Sequence, residues 1–509
     1  MSPTDINKKR ELIYSQIEKK QLKGAIEGVK ELLALQYNWS ISEKLSELET
    51  NYKFMLHYLV KGNDDPQQEK IYDKLFRDIY IITDDAVESL LLQDSNSIFF
   101  EKLRVQNVRE TVALDDYRDT LKKQADTLKF LDLLEEGEEK EARVRKNSLA
   151  HEGTIRDLFY YIYTSPRANN DFIESLNTFI NDSVIPVNDK CIVISALTLN
   201  IFERFDASKI LFLLDVCRSS QNDIAIRAII GIIPIFQIYR KRCNLYPECS
   251  NRLKLLSDNT LFNRLFMRAV TGYIRAHETE KITKRLNEEI IPEMMKLSPM
   301  IGKKIKLDEW MGESGLDEKN PEWQKILDES GLTDKLQEFS NLQMEGADVF
   351  HSTFSNLKNY PFFSELSNWF LPFYSQHSSV RPVFSGEIKS STTIESMFET
   401  SLICNSDKYS FCFSIMLMPE EYRNMMIGQL GAEGDEIKKL QEEELSLNPN
   451  QKEESIIKQY IQDLYRFFKL HPRSSNFKDI FNLPLNFHEI EEFQPIVLQP
   501  LHLEQIALY

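Results

Sequence analysis

The stretch NDKCIVISALTLNIF, residues 188–202, is followed 34 residues later by NDIAIRAIIGIIPIF, residues 222–236. Asn, Asp and three apolar positions coincide, and most other apolar positions stay apolar. A third stretch, DNTLFNRLFMRAV from Asp258, repeats the Asp and the apolar spacing more loosely. Other apolar runs lie between them, at Ile210–Val216 and Leu253–Leu256. A period of about 34 residues holding two helices each is the mark of stacked helical hairpins, which bury their apolar faces only by packing on one another. The fold class that follows is all-α, an α-solenoid-like array.

The rest of the chain agrees. Leu22, Ile26, Val29 and Leu33 fall on one stripe of a helix, and so do Ile457, Ile461, Leu464 and Phe468. Ser40-Ile-Ser-Glu43 reads as a capping box opening a helix that continues through Leu45, Leu48 and Tyr52. NDDPQQ at 63–68 is a turn. Gly is scarce at 16 residues of 509 and Pro is low at 18, which favours helices because Gly is costly inside them. The expected organisation is an N-terminal bundle over 1–133, a charged linker over 134–150 and helical repeats over 151–300. A polar connecting region over 301–345, an aromatic-rich helical region over 346–435, a second charged linker over 436–455 and a C-terminal helical region over 456–509 complete it.

The middle segments resemble HEAT-type repeats, in which a helix opens with Asp, carries Val or Arg four residues on and a small residue at seven. Asp189, Val193 and Ala196 fit that pattern. Asp223 and Arg227 fit, while Ile230 is larger than the pattern asks. The closing QPLHLEQIALY is similar to the start of a tetratricopeptide (TPR) helix at Leu503, Ile506 and Ala507. Either this helix docks on the body, or the sequence is the front part of a longer protein, the reading we favour. Both resemblances imply a non-enzymatic scaffold or adaptor that binds proteins.

Composition narrows the functions. The net charge is −17, so phosphate backbones are repelled overall and a protein partner with a basic surface is the expected one. The longest apolar run, Ala228–Phe236, is far short of the ~20 residues that span a bilayer. No apolar signal core opens the chain, and the expected location is the cytoplasm. The six Cys form no CxxC pair and read as buried free thiols, with a Cys243–Cys249 bridge as the alternative. No cofactor or metal is expected. The eight His show no HExxH or HxH spacing, and Gly428, Gly431 and Gly434 lack the Lys-Ser/Thr of a phosphate loop.

Two stretches ask for more. FHSTFSNLKNYPFFSELSNWFLPFY, residues 350–374, holds nine aromatic residues in a chain that averages 11%. Only Lys358 lies among them, whereas a base-stacking platform would interleave Lys and Arg. We expect two short helices, over Phe350–Leu357 and Glu365–Phe370, with their aromatics packed inward. Phe411–Met418 reads as a buried helix. Arg145 and His151 resemble the Arg-x(4–6)-His pattern of HEPN-type ribonucleases, which are all-helical, with Lys146 where that family usually carries a polar residue after the Arg. The resemblance implies a rival function, RNA cleavage through Arg145 and His151, against the bland reading of a basic helix start after an acidic run.

Overall fold

The computed structural model of the chain describes residues 2–60, 68–109, 112–135, 137–285, 351–384, 403–419 and 450–499, with residues 288, 292, 348, 398, 422 and 423. Among these residues the secondary structure is helical throughout, with no strand. The chain divides into two compact units, Met1–Thr260 with Glu489–Pro495, and Leu261–His488 with Ile496–Tyr509.

The first unit opens with α1 (Pro3–Glu18), α2 (Leu22–Leu33), α3 (Trp39–Val60) and α4 (Gln68–Asp94). Ser2 caps α1, its side chain accepting from the Asp5 N–H, with Pro3 at the first helical position. The helix closes at Lys20, which takes a left-handed φ of 58°. The N–H of Gln21 then reaches back to the Gln16 carbonyl at 2.8 Å, the bond pattern of a Schellman end. The expected stripe of Leu22, Ile26, Val29 and Leu33 is buried, with Ile13, Ile17, Leu45, Leu48 and Ile79 around it. α3 starts one residue before Ser40. Its cap is Asn38, whose Oδ1 accepts from the Ile41 N–H at 3.3 Å, so the Ser40–Glu43 box lies inside the first turn.

α5 (Ile98–Val108), α6 (Leu114–Asp132), α7 (Glu138–Tyr163) and α8 (Asn170–Asn181) follow. The charged run expected as a linker at 134–150 is helix from Glu138 onward. Its acidic start suits the positive end of the helix dipole, and α7 continues unbroken into the buried Ile155, Leu158, Phe159 and Ile162.

The two stretches compared at the outset form α9 (Val187–Glu203) and α11 (Asn222–Ile238), with α10 (Ala207–Val216) between them and α12 (Arg240–Cys243) and α13 (Pro247–Ser257) after. α9 and α11 pack against each other, and α10 packs on α11 and α13. The small residue at their crossing is not at Ile230 but one place on. A Cβ on Gly231 would stand 2.8 Å from Thr198 Oγ1, so only Gly admits this approach. Arg227 is buried and its Nη1 donates to Ser195 Oγ at 2.8 Å.

The second unit holds α14 (Thr260–Ala276), which begins at the division, α15 (Thr279–Arg285), α16 (His351–Ser355), α17 (Arg381–Phe384), α18 (Asn405–Leu417) and α19 (Gln451–Leu470). The α19 stripe of Ile457, Ile461, Leu464 and Phe468 is buried as expected. The expected regions at 301–345 and 436–449, and the tail from Pro500, lie outside the described residues. All six cysteines are free and buried, and burial pushes the Cys191 and Cys249 thiols up to about 12.

Candidate functional site

Arg145 and His151 both sit on α7, but six residues of helix turn them about 120° apart. Arg145 is exposed. His151 faces α9, where its Nε2 lies 2.9 Å from Asp189 Oδ2, a carboxylate almost wholly buried. Burial alone would lower the His151 pKa, but the hydrogen bond and charge of Asp189 outweigh it and raise it. Asp189 thus joins the opening of α9 to the middle of α7.

The aromatic stretch is a packing element. From His351 it forms one short α-helical piece and then three 3-10 turns, at Asn356–Asn359, Pro361–Ser364 and Leu366–Trp369. The two α-helices expected here are therefore largely replaced. Pro361 fixes the chain at a turn start, and short 3-10 pieces suit a segment punctuated every few residues. The inward packing of its aromatics holds. Trp369 is 1% exposed, and its indole N–H donates to the Phe363 carbonyl at 2.8 Å. Phe362 stacks on Tyr409 with ring centroids 4.7 Å apart. Lys358, the one cation inside the stretch, is buried against Asp407 at 2.7 Å, so it faces no outside ligand. The Phe411–Met418 segment lies in α18, with Cys412 and Ile415 buried but Met416 and Leu417 exposed.

Among the described residues, several buried polar side chains gather in clusters. In the first unit Lys209 Nζ donates to the Ser165 and Pro166 carbonyls, to Ser165 Oγ and to Asn200 Oδ1 at 2.7–3.2 Å. Burial pulls Lys209 down to about 7, with Asp206 opposing. Asp206 caps α10 and also accepts from the Ala168 N–H at 2.7 Å. The cluster satisfies the carbonyls of the segment that follows α7. Nearby, Asp84 on α4 holds Tyr14, Arg167 and Arg242, and Arg242 is sandwiched between the Tyr80 and Phe205 rings. Glu203, beneath Tyr163, is raised to about 7 by burial.

In the second unit Arg466 bridges Asp407 and Asp348. Asp463 accepts from the Asn405 and Ser406 N–H groups that open α18. These clusters hold elements together. No group of three metal-ligating side chains occurs among the described residues. Gly428, Gly431 and Gly434 lie outside them. A shallow cleft of about 340 Å³ between α6 and α7 is lined by Tyr117, Thr120, Gly153, Thr154 and Asp157 among others. Asp157 is already engaged there by Arg109 and Arg156.

What periodicity missed is on the outside. Trp39, Phe54 and Tyr58 on α3 are 66%, 60% and 61% exposed. Tyr37 just before them and Phe130 and Leu133 at the far end of α6 are bare as well. The signal was available: on α3 these residues fall off the Ile41–Leu45–Leu48 stripe, so a helix that buries that stripe must show them to solvent.

Residues 4–84 match a family described as phage tail protein (Tail_P2_I). The match spans α1 to α3 and part of α4, a minor part of the chain. No curated protein and no solved structure matches. Among the described residues no helix is long and apolar enough to cross a membrane.

Proposed function

We propose that the chain is a non-enzymatic protein-binding scaffold, built on stacked helical hairpins in the manner of HEAT and TPR arrays. The observation that carries this reading is the set of large aromatic and aliphatic side chains left bare on otherwise well-packed helices, on α3 and at the α6 end. Bare apolar surface on a soluble helix is retained against the cost of self-association, and its usual use is to meet a partner. Aromatic residues supply most of the energy of such contacts. The match of residues 4–84 to a phage tail protein family agrees with a role inside a protein assembly. The partner we assign is a protein with a basic surface, drawn by the net charge of −17.

The test is site-directed photocrosslinking of the full chain in the cell that makes it, from a photoreactive residue at Phe54, at Phe130, or at the exposed Lys254 as a control. The reading expects discrete protein adducts from Phe54 or Phe130 and none from Lys254. No adduct from either aromatic site, or the same adducts from all three, would contradict it.

A further inference from the structure

The bare side of α3 carries charge as well as apolar surface. At about 100° per residue, Trp39, Glu43, Glu47, Thr50, Phe54 and Tyr58 fall within about 100° of one another around the helix, and all six are exposed. The opposite side holds the buried Ile41, Leu45, Leu48 and Met55. The fold therefore uses one side of α3 and leaves the other. Along that side the order is aromatic, acidic, acidic, aromatic, over roughly 29 Å at 1.5 Å per residue.

The two acids differ from their neighbours. Glu49 is held by Lys30 at 2.6 Å and Lys53 at 2.9 Å. Lys44 lies 3.7 Å from Asp85. Glu43 and Glu47 have no ion-pair or hydrogen-bond partner among the described residues.

This pattern selects an occupant. A purely apolar partner would cover two carboxylates without pairing them, which is costly. A second copy laid on the same stripe, or an acidic or phosphate-bearing ligand, would set like charges together. A helix satisfies its own backbone and can lie along α3 with side chains interleaved.

Resting on the protein-binding reading above, we propose that the outer face of α3 docks a basic amphipathic helix of a partner protein. Leu-like side chains of that helix meet Trp39, Phe54 and Tyr58, and Lys or Arg side chains between them meet Glu43 and Glu47.

The probe is a fluorescent 20-residue helical peptide of Leu and Lys, with a matched Leu/Glu peptide, titrated against the full chain and read by anisotropy. Circular dichroism and the melting temperature confirm that each variant is folded. The wild type is expected to bind the Leu/Lys peptide. Glu43→Lys with Glu47→Lys, or Trp39→Ala with Phe54→Ala, weakens it by about tenfold or more. The charge-swapped variant gains the Leu/Glu peptide, and a control swap, Glu138→Lys with Glu139→Lys, leaves the Leu/Lys affinity unchanged. The proposal is overturned if the Leu/Lys peptide does not bind, if the α3 substitutions leave its affinity unchanged, or if the control swap weakens it equally. Photocrosslinks from Phe130 alone would overturn it too, while leaving the scaffold reading standing.

Discussion

α3 and α11 are both long helices rich in apolar residues, yet they meet solvent in opposite ways. Every residue of α11 from Ile224 to Phe236 is buried. It packs on α9 and α10, so an apolar residue on any side has a neighbour. α3 packs on α2 and α4 and leaves Trp39, Phe54 and Tyr58 outside. The difference lies in how many sides a helix has covered, not in how apolar it is. An all-round apolar helix belongs to a core, whereas aromatics off the buried stripe of a one-sided helix are left to solvent.

Substitution can break that contrast directly. Trp369, enclosed in the second unit, and Trp39, on the bare side of α3, are the same residue in opposite settings. Trp369→Ala is expected to destabilise by ~3–5 kcal/mol, as large core truncations do, while Trp39→Ala stays within ~0.5 kcal/mol. Denaturant unfolding of both variants decides this, and comparable losses would mean that α3 is covered after all. Next in size, Lys209→Met leaves the Pro166 carbonyl and Asn200 Oδ1 without their shared donor, while the Ser165 carbonyl keeps Asn200 and Arg204. A loss of ~3 kcal/mol is expected, since each buried acceptor left unpaired costs about 1–3 kcal/mol.

Glycine sharpens the same point. Gly231→Ala pushes a methyl against Thr198 and should cost ~1–3 kcal/mol. A Cβ on Gly153 meets nothing within 4 Å, so Gly153→Ala in mid-α7 should stabilise by up to ~1 kcal/mol. Thermal melts of the pair should move in opposite directions.

The smallest effect is a pH dependence. Because the folded His151 pKa is raised, the His151–Asp189 contribution is fully present below the ordinary value of 6.5 and is lost as pH rises through the higher folded value. The melting-temperature gap between wild type and Asp189→Asn should therefore narrow as pH rises from 6 to 8. A gap that widens would contradict the assignment.

Helix periodicity is local, so the α2, α9 and α11 patterns of the first unit and the α19 stripe of the second were legible, each within a single helix. The aromatic stretch was legible as packing but not as conformation. Pro361 and Pro372 punctuate it, and the choice of 3-10 turns depends on what α18 and α19 present to them. The ionic clusters were invisible, since Arg466, Asp407 and Asp348 meet from far apart in sequence. Arg145 and His151 looked like a pair because spacing was read along the chain. On a helix, six residues point them to different sides, one to solvent and one to Asp189. The bare side of α3 is encoded in the same spacing, since Trp39, Phe54 and Tyr58 fall outside the Ile41–Leu45–Leu48 stripe.

Whether the outer side of α3 is covered by another protein is the central question. Oxidative footprinting of Trp39 and Tyr58, in the purified chain and in the intact cell, tests this directly. Strong labelling of the purified chain and marked protection in the cell is the expected result, with Trp369 unlabelled in both. Equal labelling of Trp39 and Tyr58 in both settings would contradict the account.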